Sequence, residues 1–220
     1  MRKLIFNSSI MMLFTILITY PVLADDYQKG LDAYKQKDTK AALIYFKKSC
    51  EAKNGDACLA VAELQGKNQS SKVVLSYMTK ACNYGNGRSC EMLGRAYSQG
   101  KIVKKDSRMA NAYYKKAIAN YEKECKNGKA SACSKMSNYY TDSSIVKKDF
   151  VKAIFFYDKA CQLEPVNFCE SLGDIYEQGT PPAGKADPAL AEKYFKKACD
   201  HKNEIACRKY NYNNEMKMKP

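Results

Sequence analysis

Ten cysteines are the residues in this chain whose type and spacing can do chemistry, either by forming disulfides or by binding metal. They form five pairs with the same separation of eight residues, and none is left over. Zinc sites usually pair ligands roughly two to four residues apart, so the spacing favours disulfides, and we expect neither a metal nor a cofactor. The expected bonds are Cys50–Cys58, Cys82–Cys90, Cys125–Cys133, Cys161–Cys169 and Cys199–Cys207.

The same spacing decides which elements must position each pair. Residues eight apart are separated by about 12 Å on a helix and by more on a strand, whereas a disulfide needs Cα atoms within roughly 7 Å. The chain must therefore reverse between the two cysteines, and the intervening residues are typical of turns and helix ends. These residues are Asn54-Gly55, Gly85-Asn86-Gly87, Asn127-Gly128, Pro165 with Asn167, and Lys202-Asn203. Each pair is predicted to clamp a helix–turn–helix corner.

Residues 1–24 have the composition of a secretory signal peptide. Arg2 and Lys3 form a basic start, residues 10–20 are almost continuously apolar, and small residues typical of a cleavage site end the segment. The alternative is a membrane anchor, but the apolar run is too short to span a bilayer. We expect a mature chain, residues 25–220, that is periplasmic or secreted, has no membrane span after cleavage and keeps its disulfides in an oxidising compartment.

The chain is basic, with 37 Lys and Arg against 23 Asp and Glu and a formal net charge of +14. Only two of the basic residues belong to the first 24. An excess of this size indicates an anionic partner or surface, although lysines spread over many helices are also typical of a merely solvated exterior. Export argues against nucleic acid as the partner.

The corners recur at intervals of 32, 43, 36 and 38 residues, which is the period of a helical solenoid. The stretches that lead to the first cysteine of a pair align as Ala42–Cys50, Val74–Cys82, Ala153–Cys161 and Ala191–Cys199. In the third unit the matching stretch Ala110–Ala117 is followed by a cysteine that comes seven residues late. Seven residues are nearly two helical turns, so we predict a longer helix that still presents Cys125 on the same face.

The stretches that follow the second cysteine also align, with Met92–Tyr97 matching Ser171–Tyr176. A small residue recurs there and is predicted to lie where two helices approach closely. The residues at this position are Ala62, Gly94, Ser137 and Gly173. A capping residue is predicted just before the helix that precedes each corner. The residues proposed as caps are Asp38, Ser70, Asp106, Asp149 and Asp187.

These patterns predict an all-α fold of about eleven helices and no strands. The expected fold class is a right-handed α/α solenoid, stapled by disulfides, in one domain over residues 25–220. Residues 25–38 are expected to form a leading helix. Residues 208–220 are expected to form a terminal cap and a polar tail.

The motifs resemble a known family. Leu93-Gly94-x-x-Tyr97-x-x-Gly100, followed by Val103-x-x-Asp106 and then by the stretch from Ala110 to Ala117, resembles the Sel1-like repeat. With a cysteine pair at each corner, the chain is similar to the Helicobacter-type cysteine-rich proteins (Hcp). That resemblance implies exported, disulfide-stapled solenoids that act as interaction proteins and that are associated with penicillin binding and weak β-lactamase activity.

Serine β-lactamases use Ser-x-x-Lys at a helix start, with Ser-Asp-Asn and Lys-Thr-Gly elsewhere. Ser98–Lys101 and Ser144–Lys147 match the first motif, but both are predicted in loops, and Lys-Thr-Gly is absent from the sequence. Zinc enzymes need several histidines, whereas the single histidine, His201, is interpreted as an exposed turn residue. Because paired cysteines leave no thiolate, the sequence identifies no catalytic residue.

Solenoids bind along their concave face, and in the tetratricopeptide relatives the helices that carry Leu-Gly line that face. The outward positions predicted there are Arg88, Glu91, Arg95, Ser131, Ser134, Asn138, Asn167, Glu170 and Asp174. The leading hypothesis is an exported, monomeric module that binds a protein or peptide, with a cell-wall fragment or a β-lactam as other ligands. The alternatives are a weak β-lactamase that hydrolyses penicillins and cephalosporins, and an envelope assembly factor.

Overall fold

The computed structural model describes residues 25–66, 71–142 and 144–217, and this part of the chain contains eleven α-helices and no strands. The chain divides into two compact units, the first ending at Asp106 and the second beginning at Ser107. The first unit contains α1 (residues 25–35), α2 (Thr39–Glu51), α3 (Gly55–Gln65), α4 (Ser71–Asn83) and α5 (Gly87–Gln99). The second unit contains α6 (Ser107–Lys126), α7 (Ala130–Thr141), α8 (Phe150–Leu163), α9 (Pro165–Gln178), α10 (Pro188–Asp200) and α11 (Glu204–Lys217).

Each predicted corner is a short turn between two helices, and all five predicted disulfides are confirmed, with Cα–Cα distances of 4.5 to 4.7 Å. Lys53, Gly85, Gly128 and Lys202 have φ values of 65°, 92°, 90° and 68°, so four of the five turns use a left-handed residue to leave the preceding helix. The corner between α8 and α9 differs, because Glu164 alone separates them and Asn167 lies inside α9 rather than in the turn.

Capping residues set where the helices begin. Asp38, Asp149 and Asp187 each accept a hydrogen bond from a backbone N–H three residues later, at 2.9 to 3.0 Å, as predicted. The asparagines of the corners act in the same way, although the sequence indicated only turns there. Asn54 and Asn86 accept from Ala57 N and Ser89 N at 2.9 and 2.7 Å. Ser70, another proposed cap, lies outside the described residues.

The core of the first unit consists of small residues and cysteines around one aromatic ring. Phe46, Val61 and the disulfide between Cys50 and Cys58 are buried together. The Phe46 ring lies so close to Gly30 of α1 that a Cβ on this glycine would be 2.5 Å from the ring carbons Cδ1 and Cε1. The glycine therefore permits α1 and α2 to approach.

The second unit repeats this arrangement between α9 and α10. Leu172, Phe195 and the disulfide between Cys161 and Cys169 are buried together. A Cβ on Gly173 would lie 2.5 Å from Phe195 Cε1, which confirms that this small-residue position is a point of close helix approach. One ring packed on one glycine thus recurs in both units.

Helix lengths confirm one expectation and change the expected bounds of two segments. The extended helix is α6, with 20 residues against 13 in α2, α4 and α10. The leading helix ends at residue 35 rather than 38, because Asp38 belongs to the cap of α2. Residues 208–217 continue α11 instead of forming a tail, and the proposed signal peptide, residues 1–24, lies outside the described residues.

Candidate binding face of the Leu-Gly helices

Two classes of helix alternate along the chain. We call the helices that follow the corners the Leu-Gly helices; they are α3, α5, α7, α9 and α11. We call the helices that precede the corners the Ala-aromatic helices; they are α2, α4, α6, α8 and α10. The predicted site residues occupy the same three positions of α5, α7 and α9, two before, one after and five after the second cysteine. Offsets of three and seven lie on one side of a helix, so these positions form a single face of each Leu-Gly helix.

In the first unit this face carries arginines that are held by glutamates. The Arg88 guanidinium lies 3.1 Å from Glu63 of α3, so the ion pair joins consecutive Leu-Gly helices. Arg95 lies 2.5 Å from Glu91 within α5. The arginine side chains remain 64% and 59% exposed, whereas Glu91 is buried, which corrects the prediction that it points outward. Glu91 accepts a hydrogen bond from the Arg95 guanidinium one turn later in the helix.

A second polar contact joins α3 and α5 at the corners. Asn86 is buried, and its Nδ2 donates to Asp56 Oδ1 at 2.6 Å while its Oδ1 caps α5. One asparagine therefore ends the turn of its own repeat and binds the first turn of the previous Leu-Gly helix. This contact holds the two helices in register next to the arginines.

In the second unit the three predicted positions of α7 are uncharged. Ser131 and Asn138 are exposed and Ser134 is half-buried, so the helix presents neutral hydrogen-bonding groups. Beneath them Met136 and Ser137 are buried. The three predicted positions of α7 can therefore bind polar groups and carry no charge themselves, while Lys135 lies on the same side of the helix.

The face of α9 is acidic, and a lysine of α11 pairs with its carboxylates. Lys209 forms an ion pair with Asp174 and lies 3.8 Å from Glu170, and its ammonium also lies 5.1 Å from the centre of the Phe195 ring. Asn167 is exposed. Glu170 and Asp174 are thus partly neutralised inside the protein, which the sequence did not predict because Lys209 is 35 residues from Asp174 in the chain.

The tyrosines between the helices are packing groups with raised pKa values. Burial raises the pKa of the Tyr194 hydroxyl, and the hydrogen bond that it donates to Asp158 at 2.9 Å raises this pKa further. Burial likewise raises the pKa values of Tyr157 and Tyr176. A tyrosine with a raised pKa stays protonated at neutral pH, so none of the three is an activated nucleophile.

The residues considered for catalysis occupy three different elements of the chain. Ser98 lies in the last turn of α5 rather than in a loop, and its hydroxyl donates to Arg95 O at 3.1 Å. Ser144 is exposed in the loop before α8. His201 is the exposed C-cap of α10, with Nδ1 2.9 Å from Lys197 O. In the described ranges no group of three or more His, Cys, Asp or Glu side chains is placed to hold a metal ion.

Over the same described ranges, no helix has both the length and the apolar character needed to cross a lipid bilayer. The five disulfides are typical of proteins in an oxidising, extracytoplasmic location.

Comparison with protein families matches the Sel1 repeat at residues 23–54, 87–121, 130–164 and 169–203. No curated protein sequence matches the chain. A solved Sel1 repeat protein from Oxalobacter formigenes is 23% identical with a TM-score of 0.55, covering 84% of this chain and 75% of that one. Cysteine-rich protein B of Helicobacter pylori is 30% identical with a TM-score of 0.39, covering 58% of this chain and 90% of that one. A putative Sel1 repeat protein of Klebsiella pneumoniae is 16% identical with a TM-score of 0.48, covering 87% and 93%.

Proposed function

This chain belongs to the Sel1 repeat family, and we propose that it is an exported module whose Leu-Gly helices bind a segment of a partner protein or peptide. Repeat solenoids bind through extended surfaces made by the same helix of successive repeats. The described helices alternate in this way, and the predicted positions of α5, α7 and α9 have the same offsets from the second cysteine of each pair. Export is proposed from the composition of residues 1–24 and from the five disulfides.

The observation that carries the proposal is the pair of arginines on α5. Arg88 and Arg95 are seven residues apart, so they project from the same side of the helix about 10 Å apart. A guanidinium presents its donors in a fixed fork that matches a carboxylate, which makes arginine suited to recognising acidic side chains or a chain terminus. Glu63 and Glu91 hold the two guanidinium groups in place before a ligand arrives.

The pair between Arg88 and Glu63 can be exchanged for a ligand because both of its side chains are open to solvent. The Arg88 and Glu63 side chains are 64% and 47% exposed, so this contact contributes little to stability and is screened by salt. A partner carboxylate that replaces Glu63 keeps the arginine paired and adds the contacts of the rest of the partner. The first unit therefore favours an acidic segment, whereas α7 in the second unit favours uncharged polar groups.

A random peptide library tests this proposal and needs no candidate partner to begin with. Peptides enriched on the oxidised protein are synthesised, and their affinities are measured by fluorescence anisotropy for the wild type and for Arg88→Gln/Arg95→Gln. The enriched peptides should contain Asp or Glu, and the double variant should weaken them by roughly tenfold to a hundredfold, as expected for the loss of two charge-assisted contacts.

The control is Lys115→Gln/Lys116→Gln, which removes the same charge from exposed positions of an Ala-aromatic helix. An equal loss of affinity in both double variants would mean that net charge, not the α5 face, attracts the peptides. Enrichment of no peptide at all, on protein shown to be fully oxidised, would refute the binding module.

The hydrolase alternative receives no support from the two Ser-x-x-Lys motifs. Ser98 lies at the C-terminal end of α5, where the helix dipole is negative and disfavours the anion that forms when a serine attacks a carbonyl. Ser144 is exposed and outside a helix start. We therefore expect the pure protein not to turn over a chromogenic cephalosporin; turnover that is lost in Ser98→Ala or Ser144→Ala would reverse this order of hypotheses.

A further inference from the structure

Helix α8 exposes apolar side chains that nothing in the fold requires. Val151, Phe155 and Phe150 are 82%, 62% and 43% exposed. Val151 and Phe155 are four residues apart, so they form one stripe along the helix, and Phe150 adjoins it. The Phe155 ring leans on Phe156 with 5.3 Å between ring centres, while Phe156 stacks on Tyr140 at 5.8 Å. The inner ring, Phe156, therefore packs against Tyr140, whereas the outer ring, Phe155, remains mostly exposed to solvent.

The repeat itself shows that this stripe is not a structural need. The position of Phe155 is occupied by Ile44, Ser76, Ala112 and Lys193 in α2, α4, α6 and α10. The position of Val151 is occupied by Lys40, Lys72, Arg108 and Ala189. The position of Phe150 is occupied by Thr39, Ser71, Ser107 and Pro188. All of these helices form with other residues there, so the three apolar residues of α8 serve something outside its packing.

Lysines surround the stripe. Lys147 is exposed just before α8, Lys148 and Lys152 are 59% and 58% exposed, and Lys159 follows Phe155 by one turn. The three Ala-aromatic helices of this unit together contain ten Lys and Arg against five Asp and Glu, and nine of the ten are lysine. The three Leu-Gly helices contain four against five. The positive charge of this unit thus lies on the helix class that carries the exposed stripe.

We infer that the Val151–Phe155 stripe docks peripherally on an anionic lipid bilayer, with the apolar side chains in the interface and the lysines among the headgroups. A helix that presents Phe and Val between lysines is suited to lie in the plane of such an interface. Each lysine near an anionic surface adds to the attraction, and the effect needs no directed geometry. Lysine supplies a point charge of that kind, whereas arginine, which is nearly absent from these helices, supplies a directed fork.

The same charges argue against the other occupants. A symmetric dimer buries the same patch of both copies, so it would press the lysines of one copy against those of the other. A protein partner would be expected to meet tyrosine or arginine anchors, and the stripe contains neither. An anionic bilayer has both the negative surface and the apolar layer that the stripe requires.

The test is flotation of the purified, oxidised full chain with vesicles, after its N-terminal residue has been determined. Vesicles of phosphatidylethanolamine with phosphatidylglycerol should carry the protein, and phosphatidylcholine vesicles should carry much less. Val151→Ser/Phe155→Ser should lower the partition coefficient on the anionic vesicles by roughly tenfold to a hundredfold. Lys147→Gln/Lys159→Gln should lower it by roughly tenfold on anionic vesicles only.

Two matched variants locate the effect. Phe155→Leu keeps an apolar side chain and should retain most of the binding. Ile44→Ser removes an apolar side chain of similar exposure, 66%, from the same register position of α2 in the first unit, and should change little. Serine is the residue of α4 at this position, so Phe155→Ser is compatible with the repeat, and circular dichroism should confirm an unchanged fold.

Three results would overturn the inference. The first is equal binding of wild type and Val151→Ser/Phe155→Ser to anionic vesicles. The second is a wild-type dimer in sedimentation that becomes monomeric in this variant while vesicle binding stays the same, since a second copy would then cover the stripe. The third is an equal loss in Ile44→Ser. Peptide affinity on the α5 face is measured separately, so failure here leaves the proposed binding module standing.

Discussion

Helix pairs α7/α8 and α9/α10 use the same ring stack in different ways. Tyr140 stacks on Phe156 at 5.8 Å, and Tyr176 stacks on Tyr194 at 5.6 Å, with interplanar angles of 6° and 4°. In α9/α10 the hydroxyl of the second ring donates to Asp158 of α8 and so ties two repeats together. In α7/α8 the corresponding ring is a phenylalanine, and it supports the exposed Phe155 instead.

The difference shows which residues the fold of a repeat requires and which residues can vary between repeats. Both pairs keep two parallel rings between their helices, so the stack belongs to the fold. The residues next to the stack vary: Phe155 in α8 is replaced by Lys193 in α10, whose ammonium lies 5.8 Å from the Tyr194 ring centre. The pair α7/α8 therefore exposes an apolar ring at this position and the pair α9/α10 exposes a cation, although the same ring stack lies beneath both.

Loss of the disulfide that joins these two pairs should have the greatest effect. Cys161 lies in the last turn of α8 and Cys169 in α9, and their bond closes a loop of about nine residues. Cys161→Ser/Cys169→Ser should lower the free energy of unfolding of the second unit by about 2–3 kcal/mol, because the unfolded chain gains freedom and two buried positions become polar. Chemical denaturation followed by circular dichroism measures this loss.

Hydrogen exchange then shows how far the damage spreads. Repeat arrays are stabilised mainly by neighbours, so protection should fall in α8 and α9 and remain unchanged in α2 and α3 of the first unit. A uniform fall over both units would contradict local stability. Cys50→Ser/Cys58→Ser is the reciprocal control and should loosen α2 and α3 alone.

Substitution by alanine at the small-residue position should destabilise the protein in α9/α10 and stabilise it in α7/α8. Gly173→Ala places a methyl group 2.5 Å from the buried Phe195 ring, and we expect a net loss of about 1–2 kcal/mol after the helix propensity of alanine is counted. Ser137 is the equivalent residue of α7, and its buried hydroxyl has no hydrogen-bond partner among the described atoms. Ser137→Ala should therefore stabilise the protein by about 1 kcal/mol.

Thermal unfolding of both variants in the same buffer measures whether each substitution stabilises or destabilises the protein. A loss in Ser137→Ala would show that the hydroxyl is satisfied, for instance by water. A neutral Gly173→Ala would show that Phe195 can move away, which its complete burial argues against.

The corners and helix lengths could be predicted from the sequence because their causes are local. A fixed cysteine spacing forces a turn, and a delay of seven residues before Cys125 lengthens α6 by nearly whole turns. The contacts of the candidate face could not be predicted in the same way. Glu63 with Arg88, and Asp174 with Lys209, lie 25 and 35 residues apart, and their meeting depends on the distance and rotation between consecutive Leu-Gly helices.

The repeat pattern also did not predict which side chains are buried. Glu91 and Arg95 share one helix face, yet the arginine side chain is 59% exposed and the glutamate side chain only 11%. Phe155 and Phe156 are neighbours in one motif, and nothing in the motif distinguishes the exposed ring from the packed one. Side-chain length and the position of the next helix decide these cases, and neither is visible in repeat spacing.

Removing the Tyr194 hydroxyl should make α9/α10 resemble α7/α8. Tyr194→Phe keeps the ring stack but loses the hydrogen bond to Asp158, so we expect a loss of about 1–2 kcal/mol. The pKa of Tyr194 is raised in the folded state, so the unfolded chain releases this proton first and stability falls as pH rises above about 10. Tyr194→Phe should flatten that decline, as measured by urea unfolding at a series of alkaline pH values.

Tyr176→Phe is the control within the same stack. The pKa of Tyr176 is also raised by burial, but its hydroxyl makes no hydrogen bond within the described part of the chain, so the loss near neutral pH should be smaller than for Tyr194→Phe. Equal losses at neutral pH would mean that ring packing, not the bond to Asp158, distinguishes the two pairs.

The smallest effect is expected at the surface where α9 differs from α7. Lys209→Met leaves Glu170 and Asp174 without their shared cation, a situation that does not arise at the uncharged predicted positions of α7. All three side chains are partly exposed, so we expect a loss of at most about 1 kcal/mol at low salt and less at high salt. Lys196→Met breaks an exposed pair with Asp200 within α10 and should change stability less than Lys209→Met at every salt concentration. Should the two variants respond alike, the lysine of α11 would add no more to the α9 face than an ordinary surface pair, and the acidic groups of that face would be as available to a ligand as those of any solvated helix.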